Sequence, residues 1–101
     1  MLTEKDYCND KVRALLKEIG CPLVYETPFI TLYEVQKWLR EEKQIIVEVF
    51  VDDDSDTPIT YNIYKDGECV CHHHGKYWSV KEWNEVLSEG IKEAVKILKE
   101  K

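Results

Sequence analysis

Near the start of the chain, apolar residues recur at helical spacing. Cys8, Val12, Leu15, Leu16 and Ile19 fall on one stripe, which ends at Gly20 with Pro22 just beyond. A second amphipathic stretch places Leu32, Val35 and Leu39 inward, and a third repeats through Trp83, Leu87, Gly90, Ile91, Ala94 and Leu98. Each stretch opens on a hydroxyl followed three residues later by an acid: Thr3 to Asp6, Thr31 to Glu34 and Ser79 to Glu82. The glutamate versions fit a capping box, in which two orphan backbone amides are satisfied reciprocally, and the aspartate version is a shorter form of it. The pattern therefore predicts helices over 3–19, 31–43 and 79–99. Gly90 interrupts the last stripe at a cost of about 1 kcal/mol relative to alanine, which points to close approach of that helix to another element.

Between the second and third helices the period changes to two. Ile45 to Val51 is apolar and β-branched, Ile59 to Tyr64 alternates, and Glu68 to His74 follows the hairpin dipeptide Asp66-Gly67. With Val51 opposite Ile59 and a type I′ turn at Asp66-Gly67, Val47, Val49, Val51, Ile59, Tyr61, Ile63, Val70, His72 and His74 share the core face. Ile46, Glu48, Phe50, Thr60, Asn62, Tyr64, Cys69, Cys71 and His73 then lie on the reverse face. Residues 21–30, with Pro22 and Pro28, read as an extended packed loop or a short edge strand at Leu23-Val24-Tyr25. The expected fold is a single α+β domain over 1–101. It has two N-terminal helices, a three-stranded antiparallel meander and a long C-terminal helix packed on the sheet.

Composition narrows the function. A chain of 101 residues that is 44% hydrophobic holds one small core. A net charge of −6, with lysines and arginines interleaved among glutamates, argues against a nucleic-acid partner, because neutralising phosphates requires a basic patch. No export signal opens the sequence and no stretch approaches the ~20 apolar residues that cross a bilayer. The expectation is a cytoplasmic protein with no membrane partner and with its four cysteines reduced.

The one concentration of chemistry-bearing side chains is Cys69-Val70-Cys71-His72-His73-His74. On a regular strand Cys69, Cys71 and His73 share a face, and thiolates with imidazole favour zinc. Structural zinc sites normally use two separated ligand pairs, and no second pair is present; the simpler reading has small strand hydrophobes followed by polar residues, with no cofactor. A thiol enzyme built on Cys71 and a histidine lacks a glycine-rich loop and a nucleophile signature. The acidic run Asp52 to Asp56 lacks the turn glycine and terminal glutamate of a calcium loop. Acid pairs such as Glu41-Glu42 lie on helix surfaces and suggest no acid/base site. On the reverse face Ile46, Phe50 and Tyr64 form an apolar group that marks a contact surface for an unidentified protein or a homodimer, unless the first helix covers it.

Trp38-Leu39-Arg40-Glu41-Glu42-Lys43 running into an apolar strand, and Tyr77-Trp78-Ser79 opening a helix that contains Gly90-Ile91-Lys92-Glu93-Ala94, resemble short uncharacterised proteins of gut Bacteroidales genomes and their phages. That resemblance implies no activity, cofactor or catalytic residue. The order helix, three antiparallel strands, helix over 31–100 also resembles double-stranded-RNA-binding domains. Their lysine-rich motif at the start of the final helix is replaced here by Lys81-Glu82-Trp83-Asn84-Glu85, so the likeness extends to topology and not to binding. The reading as a whole is of a small non-enzymatic protein-interaction module, with a zinc-binding or thiol protein as the alternative.

Overall fold

The computed structural model describes residues 6–27, 29–51, 59–72 and 79–100. Helix α1 (Asp10–Glu18) is shorter than its apolar stripe, because the chain ahead of it is pinned in another conformation. Tyr7 bridges Thr31, and the Cys8 N–H donates to the Ile30 carbonyl at 2.8 Å, so residues 7 and 8 pair with another segment. The helix starts from Asn9, whose Oδ1 accepts the Val12 N–H at 2.9 Å, with Asp10 in the first turn complementing the helix dipole. The expected helix over 3–19 is thus corrected at residues 7–9, Thr3 itself lies outside the described residues, and Cys8 packs on the core from outside the helix. The stop is where the sequence places it. Cys21 N–H bonds Leu16 O and Gly20 N–H bonds Lys17 O, the paired bonds of a Schellman ending.

Residues expected to be an extended loop or edge strand form instead a single helical turn, α2 (Leu23–Glu26), entered through Pro22 in the αR region. Arg13 of α1 holds it by donating to the carbonyls of Val24 and Thr27 at 3.3 and 3.4 Å. Among the described residues, three α-helices therefore precede the sheet. Helix α3 (Leu32–Lys43) carries the full capping box of Thr31 and Glu34 and ends at Gln44 in the left-handed region.

Strands β1 (Ile45–Val51), β2 (Ile59–Lys65) and β3 (Glu68–His72) form an antiparallel sheet in the order β1-β2-β3. Val51 pairs with Ile59 as the alternation predicts. Asp66 and Gly67 both have positive φ, 52° and 86°, as a type I′ turn demands. Beyond the turn the register departs from expectation. Tyr64 pairs with Cys69, but Ile63 pairs with Cys71 and Asn62 with His72, so Val70 is the extra residue of a β-bulge.

A 3₁₀ turn (Val80–Glu82) leads into α4 (Trp83–Lys99). Its entry is fixed by Ser79, whose N–H and Oγ donate to Glu82 Oε1 at 3.1 and 3.0 Å. Helix α4 lies across β1 and β2, α3 packs on β1 and α4, and α1 packs on α4. Gly90 explains the closeness: a Cβ there would sit 2.5 Å from Val47 Cγ1 and 3.4 Å from the Tyr61 ring. The buried stripe of α4 is Val86, Leu87, Gly90, Ile91, Ala94 and Val95, while Trp83, expected inward, is 40% exposed. Burial also fades along β1, from Ile45 and Val47 to an exposed Val51. Among the described residues no helix is long and apolar enough to cross a membrane.

Candidate functional site

The bulge at Val70 decides what the cysteine strand can do. Cys71, aligned with Ile63, packs against the core, whereas Cys69, aligned with Tyr64, is exposed. The expectation that both thiols share the reverse face with His73 is corrected for the two cysteines, and His73 lies outside the described residues. Inserting one residue reverses the alternation downstream of it, so the two thiols are no longer aimed at one point. Among the described residues no three histidine, cysteine or acidic side chains group as metal ligands would.

The thiols differ in chemistry as well as place. Burial pushes the Cys71 thiol up, with Glu93 and Cys69 adding in the same direction. Burial raises Cys8 to about 12 and also raises Cys21. A thiol held in its protonated form is a weak nucleophile and a weak ligand. Cys69 donates to the Cys71 carbonyl at 3.6 Å and is the exposed thiol of the four.

The apolar group on the reverse face is smaller than its sequence pattern suggests. Ile46 is 43% exposed, but Phe50 and Tyr64 are half-buried, and Thr60 and Asn62 between them are buried. The Asn62 amide donates to the Tyr64 hydroxyl at 3.3 Å. Helix α1 does not cover this face: its stripe joins the common core through Val12 and Leu16, against α4.

A more exposed aromatic surface lies where the sequence reading saw only a connection. Tyr25 on α2 and Phe29 just after it are 75% and 69% exposed. Their backbone is fixed by the Arg13 bonds to Val24 O and Thr27 O, and by Thr27 Oγ1 accepting the Phe29 N–H at 3.1 Å. The Phe29 ring meets Tyr7 edge-on, with centroids 6.1 Å apart. The available signal is two aromatics, Tyr25 and Phe29, in a segment with Pro22 and Pro28, where no periodicity requires them to be buried. Nearby in the chain, Tyr33 Oη lies 2.8 Å from both Asp6 Oδ1 and Asn84 Oδ1, while Asn84 Nδ2 donates to the same Asp6 oxygen. Burial and then the Asp6 carboxylate raise the Tyr33 hydroxyl, so it stays protonated and ties the N-terminal segment to α3 and α4.

Of the open depressions along α4 among the described residues, two run beside its length. One of about 400 Å³ runs from Tyr7 and Asn9 along its N-terminal half, past Asn84, Glu85 and Ser88. The other, about 560 Å³, lies between α1 and α4 over Tyr61. The chain matches no protein-family model, no curated protein and no solved structure.

Proposed function

We propose that the chain is a small non-enzymatic protein-interaction module whose default partner is a second copy of itself, with the exposed rings of Tyr25 and Phe29 as its contact surface. The carrying observation is that these two rings are the most exposed large apolar side chains described, on a backbone already fixed by Arg13 and Thr27. Aromatic side chains on an ordered backbone supply large contact area at low entropic cost, which is why they dominate interface energetics. A self-complementary patch closes most simply about a twofold axis. The exposed Ile46, in line with Tyr64 and Cys69, offers a subsidiary contact on the sheet. The protonated thiols of Cys8, Cys21 and Cys71 support a packing role for those groups over a chemical one.

Sedimentation equilibrium over a wide concentration range tests this reading. The expected result is a concentration-dependent dimer that Phe29→Ser weakens at least tenfold at unchanged Tm. A monomer at the highest concentration overturns self-association. A dimer lost in Ile46→Glu or Phe50→Glu but intact in Phe29→Ser moves the contact to the sheet.

A further inference from the structure

The larger depression beside α4 has a chemistry that the interaction reading does not use. Its floor is apolar, made by Leu15 of α1 and the ring of Tyr61 of β2. Tyr61 is held neutral there, its hydroxyl pushed up to about 12 chiefly by burial. Lys11 stands one turn before Leu15 and so shares its face of α1, while Lys92, Lys96 and Lys99 recur along one stripe of α4 opposite. The walls thus carry four lysines against Glu89, Glu93 and Glu100, with Glu18 beside Lys99, so the groove is in charge balance on a chain whose net charge is −6.

Not all of those lysines are available. Lys92 is paired with Glu89 at 3.0 Å and Lys99 with Glu18. Lys11 and Lys96 have no salt bridge among the described residues, and they stand on opposite walls over the apolar floor. A volume of about 560 Å³ lies within the usual range for small-molecule sites, roughly 300–1,000 Å³.

We infer that this groove binds a small anionic amphiphile, an aliphatic or aryl carboxylate whose head sits between Lys11 and Lys96 and whose tail covers Leu15 and Tyr61. The two ammonium groups supply charge-assisted hydrogen bonds to the carboxylate, and the floor removes the tail from water. Glu93 and Glu100 on the same rim disfavour a second negative charge, so the preference is for a monoanion with one polar end.

Titration of the folded protein with decanoate below its micelle concentration, followed by amide chemical shifts, tests the inference. Decanol and decyltrimethylammonium serve as the neutral and cationic counterparts. The expected result is saturable decanoate binding with the largest shifts at Lys11, Leu15, Tyr61 and Lys96, and at least tenfold weaker binding of the other two. The double variant Lys11→Gln/Lys96→Gln keeps its Tm, because both side chains lie at the surface, and loses at least tenfold in decanoate affinity. No saturable binding, equal binding of the cationic probe, or undiminished affinity in the folded double variant would overturn the assignment.

Discussion

The two edge strands of the sheet, β1 and β3, have different fates. Strand β1, Ile45-Ile46-Val47-Glu48-Val49-Phe50-Val51, lies beneath α3 and α4, and its Val47 carbonyl accepts a 2.7 Å hydrogen bond from Gln36 Nε2 of α3. Among the described elements, strand β3, Glu68-Cys69-Val70-Cys71-His72, has β2 as its main neighbour, and Val70 is 45% exposed. Open strand edges template unwanted pairing, and this fold protects them by two different devices. A helix and a side-chain donor close one edge, while a bulge breaks the regular ladder of the other. Alternation identifies a strand, but burial is set by which strand the helices cover.

The sharpest way to break that comparison is to truncate one β-branched side chain on each edge to alanine. Ile45 is fully buried, so Ile45→Ala is expected to cost about 2–5 kcal/mol. Val70→Ala, at a half-exposed bulge, is expected to stay within about 1 kcal/mol. Urea unfolding of the two variants measures the contrast, and equal losses would show that β3 is as well covered as β1.

Gly90 sharpens the covered side. Alanine would raise helix propensity by about 1 kcal/mol. The new methyl would also lie 2.5 Å from Val47 Cγ1, a buried β-branched side chain with little room to turn, and overpacking costs about 1–3 kcal/mol. The net expectation is destabilisation by up to about 2 kcal/mol. Val47→Ala removes the clashing methyl, so the double variant Gly90→Ala/Val47→Ala is expected to be more stable than the sum of the single losses implies. Strict additivity in thermal unfolding would mean that the helix and strand do not meet as described.

A smaller effect tests the closing of β1 directly. Gln36→Ala removes the donor to Val47 O and is expected to cost about 1 kcal/mol, more if water does not reach the freed carbonyl. Faster amide exchange along β1 is the expected companion. An unchanged exchange pattern would assign the guarding of this edge to α3 packing alone.

Much of this contrast was legible in the sequence, and its limits are instructive. The β1–β2 register, the Asp66-Gly67 turn, the α3 capping box and the role of Gly90 follow from local rules that tertiary contacts happen to reinforce. The start of α1 was lost because Thr3 to Asp6 and Asn9-Asp10 are both capping signals. The long-range pairing of Tyr7 and Cys8 with Thr31 and Ile30 keeps those two residues out of α1, which starts from Asn9. The bulge has no sequence mark here: Val70 carries neither the glycine nor the charge that often accompanies one. Missing it placed Cys71 on the wrong face of the sheet. Tyr25 and Phe29 escaped for a different reason, since exposed aromatics leave no period to read.

The last prediction concerns the two thiols that the bulge separates. Cys71 packs on the core with its thiol pushed up by burial, Glu93 and Cys69, so its thiolate is scarce near neutral pH. Its reaction with a neutral alkylating reagent is expected to be slow at pH 7 and to keep accelerating above the ordinary thiol range near pH 9, because the raised pKa delays ionisation. Cys69 is exposed and is expected to be modified first. With the pair divided between two environments, zinc is expected to leave the Tm of the reduced protein unchanged, whereas tight binding would raise it by mass action. Mass spectrometry of partly alkylated protein identifies the order of modification, and a zinc titration followed by thermal unfolding gives the second readout. Equal rates at the two cysteines, together with a zinc-dependent rise in Tm abolished by Cys71→Ser, would mean that β3 opens to bring both thiols to one ion. The edge lacking helix cover would then be the part of the sheet that does chemistry.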